Sequence, residues 1–278
     1  MRSGQLRKAF AAFAVAMLML ASLALAFTKG RAVFIKPTTA ATITPSNQMP
    51  RVVLWAWERP VDLHFIDPRE TGVAFLARTI RLRTNEVVVR PRLQPLDLPE
   101  GTEVIAVARV ESGQRTKPDL SAQQTDELAA AIAELARLPN VSSIQIDFDA
   151  TRSERTFYHD VILAVRTRLP ASVALSITAL ASWCSDDDWI SDLPIDEAVP
   201  MLFRMGPDGR QIRNRLASGE EFPAQPCRNS YGISTDEPLR NLSAAQRLYV
   251  FNPGAWTEIS VRAITDSRRR LTNFLAEP

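Results

Sequence analysis

Ser142-Ser143-Ile144-Gln145-Ile146-Asp147-Phe148-Asp149 reads as a β-strand, and its reading decides how the rest of the chain is understood. Side chains alternate across a strand, so Ile144, Ile146 and Phe148 point one way while Gln145, Asp147 and Asp149 point the other. Two carboxylates and an amide on one face of an otherwise apolar strand are costly to bury without partners. A polar site explains them better than structural convenience. The alternative, an edge strand with one wet face, fits poorly because the neighbouring segments also read as interior strands.

Working outward, β-branched apolar runs recur at residues 52–57, 72–77, 104–110, 173–180, 198–204, 230–234 and 247–251, which with 142–149 makes eight. A further run at 86–92 predicts an extra strand beside them. Several gaps carry helical spacing. In 122–138, Leu128, Ile132, Leu135 and Leu138 form one stripe behind Ser121 as N-cap; in 153–169, Phe157, Val161, Val165 and Leu169 do the same; residues 259–275 predict a closing helix. Strands alternating with helices imply a parallel sheet, and eight of them favour an α/β (β/α)8 TIM-like barrel over an open doubly wound sheet. No glycine-rich phosphate loop follows any strand, which weakens a dinucleotide-binding alternative.

The barrel is expected over residues 51–278 as one domain. Before it, Arg2, Arg7 and Lys8 precede an apolar run over 9–27 interrupted only by Ser22, the pattern of an export segment. Residues 1–27 are therefore a signal peptide or, if uncleaved, an N-terminal membrane anchor, since the run nearly spans a bilayer core of about 30 Å. No cysteine follows it for lipid attachment. Positive charge ahead of the run predicts a chain carried out of the cytoplasm, periplasmic or extracytoplasmic, anchored to the inner membrane if the run is retained. Residues 28–50 lack apolar periodicity and read as a flexible linker.

Lys plus Arg and Asp plus Glu nearly balance, 33 against 31, and no basic run occurs, so nucleic acid is not expected as a partner. His64 and His159 stand outside any ligand spacing with Cys184 and Cys227, so neither a metal site nor a cofactor is expected. Export permits those two cysteines to pair, whereas their positions after one strand and before another could hold them apart.

A barrel carries its site at the C-terminal ends of its strands. There the sequence supplies Trp55, Trp57 and Glu58; Arg78; Arg109 and Glu111; Gln145, Asp147 and Asp149; Thr178 and Trp183; Arg204; and Trp256. Aromatic rings beside carboxyls suit a sugar, whose C–H faces stack while its hydroxyls hydrogen-bond; alternatively, single tryptophans fill space between barrel and helices. Glycosidic cleavage commonly uses two carboxyl groups, one with a raised pKa. Asp147 and Asp149 are the expected catalytic pair, with Glu111 as an alternative partner, and their mutual repulsion raises one of them. The tryptophans, Glu58, Gln145, Thr178 and the arginines Arg78, Arg109 and Arg204 are expected to bind substrate.

The chain resembles an exported bacterial family catalogued as a domain of unknown function, numbered three-one-four-two. The resemblance rests on Val53-Leu54-Trp55-Ala56-Trp57-Glu58-Arg59-Pro60, Gln145-Ile146-Asp147-Phe148-Asp149-Ala150, Leu175-Ser176-Ile177-Thr178-Ala179-Leu180-Ala181-Ser182-Trp183-Cys184 and Pro200-Met201-Leu202-Phe203-Arg204-Met205-Gly206. It implies a shared fold and no established activity. More distantly the chain is similar to chitinase-like TIM-barrel glycoside hydrolases, whose fourth strand carries Asp-Gly-x-Asp-x-Asp-x-Glu. With Asp147 and Asp149 at the two later Asp positions, Thr151 stands where the acid belongs; with Asp149 in the acid's place, Asp147 is the orienting Asp and Gln145 replaces another. Glu154 falls beyond the strand, in the first turn of the next helix.

The leading expectation is an exported glycoside-hydrolase-like protein acting on or binding a polysaccharide or cell-envelope glycan, with Asp149 as acid. A non-catalytic glycan-binding or envelope scaffold protein is the alternative. A metal-assisted phosphoesterase using Asp147, Asp149 and Glu111 is a third reading.

Overall fold

The computed structural model describes residues 49–113, 116–185, 187–237 and 246–276. The expected export segment (1–27) and most of the expected linker (28–50) lie outside the described residues. Eight parallel strands close on themselves: β1 (Val52–Ala56), β2 (Thr71–Arg83), β3 (Val104–Glu111), β4 (Val141–Asp147), β5 (Ala174–Leu180), β6 (Glu197–Met201), β7 (Ser230–Ser234) and β8 (Arg247–Phe251). β1 pairs in parallel with both β2 and β8, which shuts the barrel. The extra strand, Glu86–Pro91, lies antiparallel on the distal half of β2, outside the closed ring.

These strands are apolar on both faces because one face fills the barrel bore and the other meets helices. Val53, Trp55, Ala74, Ile105, Val107, Val199 and Tyr249 pack in the bore. Their chain neighbours, such as Leu54, Ala106 and Ala198, join the outer core. Helix α1 (Ala122–Ala133) follows β3 and α2 (Arg155–Arg168) follows β4. Ser121 caps α1 in a reciprocal box with Gln124, as the sequence implies. Leu128, Ile132 and Leu135, then Phe157, Val161, Val165 and Leu169, are all buried against the sheet, while Leu138 is only partly covered. The short α3 (Ala181–Ser185) follows β5, α4 (Gly209–Ala217) follows β6, and α5 (Glu258–Ala276) closes the fold. Among the described residues no helix stands between β1 and β2 or between β2 and β3, where the returning outer strand takes the place of one.

The N-terminal end of the bore is polar. Arg247 Nη1 donates to Glu197 Oε1 at 2.8 Å, and the Tyr249 hydroxyl donates to Glu197 Oε2 at 2.7 Å. Higher in the bore the Trp55 indole lies across the barrel, where β7 supplies Gly232. A Cβ there would come within 2.9 Å of the Trp55 ring, so a larger residue cannot share this level without displacing it.

Cys184 and Cys227 form a disulfide, with Cα atoms 6.0 Å apart. Their separation along the strands does not keep them apart, because α3 turns back off the end of β5 and carries Cys184 into the outer layer. There it meets the 3-10 turn Gln225–Cys227 that precedes β7.

Candidate functional site

A cavity of about 620 Å³ opens at the C-terminal ends of the strands. Side chains at or just past the strand ends build its walls: Trp55 and Trp57 from β1 and just beyond, Arg109 from β3, Asp147 from β4 and Asp149 just beyond it, Thr178 from β5, Phe203 after β6 and Phe251 from β8. Met201, Met205 and Ile212 add apolar surface, and Ser182, Arg204 and Asp208 add polar groups near the opening. The two phenylalanines stack, with centroids 5.7 Å apart and planes 3° from parallel.

The acids of β4 have unequal surroundings. Asp147 is 4 % exposed and both its oxygens are engaged: Arg109 Nη1 donates to Oδ2 at 2.6 Å and the Thr178 hydroxyl donates to Oδ1 at 2.7 Å. Arg109 also lies over the Trp57 ring, 5.8 Å from its centroid. Asp149 stands one strand step nearer the opening and has no hydrogen-bond or ion-pair partner among the described residues. Although Asp149 is exposed at the cavity mouth, partial loss of water around its carboxyl, then the charge of Asp147, push it above the ordinary 3.8, and Arg109 offsets this only in part. The raised member is Asp149, with desolvation ahead of the mutual repulsion expected from the sequence.

Arg204 carries an unusual backbone, with φ of +50°. The Glu237 carboxylate accepts its backbone N–H at 3.0 Å, which helps to hold that conformation, and its guanidinium lies over Phe251, 5.3 Å from the centroid. Asp236 approaches the same guanidinium at 3.5 Å.

Of the residues expected to form the site, Asp147, Asp149, Trp55, Trp57, Arg109, Thr178 and Arg204 line the cavity. Six do not. Glu111 lies above Arg109 on β3, where Arg81 Nε donates to it at 2.7 Å and Arg109 approaches at 3.6 Å. Arg78 points out of the barrel and donates to Ala131 O on α1 and to Glu134 just after it. A bulge between Leu76 and Arg78 causes this: Ala74 faces the bore, but past the extra residue the even-numbered positions face outward and Thr79 and Arg81 turn inward. Glu58 bonds to Thr79 and Arg90 at a separate small hollow. Gln145 is wholly buried beneath the cavity, its Oε1 accepting from Trp55 Nε1 at 2.8 Å and its amide donating to Ser176.

Trp183 lies behind the wall against Trp189, because the chain becomes helical at Ala181 instead of continuing as strand. Trp256 packs in the outer core and donates from Nε1 to Trp55 O. The mouth therefore holds Trp55 and Trp57 without Trp183 or Trp256. Glu154 is also occupied, accepting from the Thr151 N–H and hydroxyl in a capping box. With Glu111 tied to two arginines, the acids proposed for a metal-assisted phosphoesterase do not converge, and among the described residues no group of three or more His, Cys, Asp or Glu is placed to hold a cation.

Phe251, Asp208 and Ile212 were absent from the expected site. Phe251 follows from parity, since Tyr249 faces the bore and the next odd position is the strand's last. Asp208 and Ile212 arrive on a loop and helix whose placement no strand pattern specifies.

The architecture is that of a (β/α)8 TIM-like barrel with an acid-bearing, aromatic-lined mouth. Residues 100–202 match the model of a domain of unknown function (DUF3142). Among solved structures, a candidate Chitinase A from Streptomyces coelicolor is 10% identical with a TM-score of 0.50, covering 78% of this chain and 96% of that one. A chitinase from Rhizomucor miehei is 10% identical with a TM-score of 0.42, covering 66% and 68%. The chitinase domain of the spore coat protein CotE from Clostridium difficile is 12% identical with a TM-score of 0.39, covering 67% and 66%. No curated protein matches the chain by sequence.

Proposed function

We propose that this chain is an exported protein that takes a polysaccharide or cell-envelope glycan into the mouth of its barrel and hydrolyses a glycosidic bond, with Asp149 as the general acid. The observation that carries this reading is the contrast on one strand end: Asp147 fixed by Arg109 and Thr178, and Asp149 partnerless with its carboxyl raised, facing an aromatic-lined cavity. A raised carboxyl can hold a proton for the leaving oxygen, while flat rings bind the apolar faces of a pyranose. The named function of the Streptomyces coelicolor fold neighbour supports a saccharide as ligand. Export, to the periplasm or another extracytoplasmic site, is supported by the basic start and apolar run over 9–27, which also provides a membrane anchor if it is retained.

The test is turnover of a glycan panel by the full chain beside Asp149→Asn and Asp147→Asn. Loss of turnover in both, with folding intact, is the expected result; two folded, fully active variants refute the mechanism. Binding without turnover is the second reading, favoured by one observation: among the described residues lining the cavity there is no glutamate, the longer acid of chitinase-like barrels. Glycan binding by an inactive wild type, weakened by Trp57→Ala, would establish it.

A further inference from the structure

We propose that Asp208 is a second catalytic carboxylate of this site, acting as general base opposite Asp149; the assignment rests on the glycosidase reading above. Asp147 cannot readily move to a substrate or a water, because Arg109 and Thr178 hold both of its oxygens, and Glu111 is held outside the cavity. Asp208 has neither constraint. It lines the cavity from the N-terminus of α4 and makes no ion pair or hydrogen bond through its carboxylate to any described residue.

Its own helix does not use it as a hydrogen-bonding cap. Aspartate at an N-cap ordinarily accepts an N–H from the first turn, yet Asp208 makes no side-chain cap bond, so capping does not account for its orientation. The turn that presents it is tight: Gly209 N–H donates to Gly206 O at 3.0 Å, and a Cβ on Gly209 would fall 2.7 Å from that of Met205. Glycine at that place lets the chain bend sharply with Asp208 at the cavity edge.

The two free acids come from different walls. Asp149 follows the end of β4, while Asp208 stands on the loop beyond β6, and β5 lies between those two strands. Inverting hydrolysis uses two carboxyls on separate walls with a water between them, and the proposal gives Asp149 and Asp208 those places. In the proposed step Asp149 gives its proton to the glycosidic oxygen as the C–O bond breaks. Water attacks the anomeric carbon from the opposite side while Asp208 takes the proton it releases. The product is a hemiacetal of inverted configuration; Asp208 is left protonated and Asp149 ionised, and exchange with solvent restores both.

The test uses the full chain on whichever panel glycan it turns over, comparing wild type, Asp208→Asn and Asp208→Ser, the serine keeping a competent N-cap. Readouts are kcat, the pH profile of kcat/KM, glycan affinity and the first-formed anomer by NMR. The expected result is a loss of kcat of about 100-fold or more in both variants, with loss of the acidic limb of the profile. Affinity should stay within about threefold, and the wild-type product should be inverted. A retained anomer, or an Asp208 variant that folds and keeps its turnover, overturns the role of Asp208 and leaves the glycosidase reading in place. Absence of turnover by wild type on every glycan overturns both.

Discussion

Replacing Arg109 with methionine removes the guanidinium that donates to Asp147 at 2.6 Å while keeping an apolar stem. Asp147 has a side chain only 5% exposed and Arg109 one 34% exposed, which sets the magnitude. Removing one partner of a fully buried pair costs about 3–5 kcal/mol, whereas exposed pairs are worth about 0–1 kcal/mol. Here the stranded carboxylate is the buried member, Thr178 still donates to it, and water reaches the vacated side. We expect a loss of about 2 kcal/mol, within the range for a hydrogen bond to a charged group. For a domain of this size that lowers Tm by roughly 4–8 °C. Urea unfolding followed by tryptophan fluorescence measures it, with Asp147→Asn and the double variant completing a cycle whose coupling should be about 1–2 kcal/mol. An Arg109→Met protein within about 0.5 kcal/mol of wild type, or a cycle with no coupling, would refute the claim that this pair fixes Asp147.

Asp149 titrates above its ordinary value when folded, so its contribution to stability is favourable below about 3.8 and is lost as pH rises through the raised value. Asp149→Asn should therefore gain stability near neutrality relative to acid, and wild-type turnover should fall as pH climbs through the same range; a pH-independent difference in urea midpoint would contradict this. The disulfide closes a loop over a sequence separation of 43, so Cys184→Ser with Cys227→Ser should lose about 2–4 kcal/mol in chemical denaturation. Gly232→Ala should cost about 1–3 kcal/mol by crowding the Trp55 ring, and an unchanged midpoint would show that the bore has slack. Trp57→Ala should weaken glycan binding by about 1 kcal/mol, roughly fivefold, by titration calorimetry.

Strand order was readable because interior parallel strands are apolar on both faces and need no partner to be recognised: the runs at 230–234 and 247–251 match β7 and β8 end for end. Asp147 was readable by alternation along β4, which ends there, whereas Asp149 follows beyond the strand rather than on it as expected. Alternation fails wherever the backbone breaks step. At β2 one bulged residue sends Arg78 outward, and at β5 an early helix withdraws Trp183, although both changes are local and leave the apolar pattern intact. Pairing of charges was also hidden: Arg81, beyond the bulge, captures Glu111, and nothing in the spacing of residues 81 and 111 announces it. The disulfide depended on the direction in which α3 leaves the sheet, and Asp208 on a loop conformation.

The long β2 has a consequence for how a polymer could reach the barrel. Level with the last residue of β1 at Phe75, it runs on to Arg83, roughly 25 Å further, flanked by β3 on one side and the outer strand on the other. β6 and β8 end at Met201 and Phe251, so the strands themselves run far past the rim on one flank and stop near it on the other. A glycan of the kind proposed above would meet an uneven ring of strands, with the wall of β2 on one side of it.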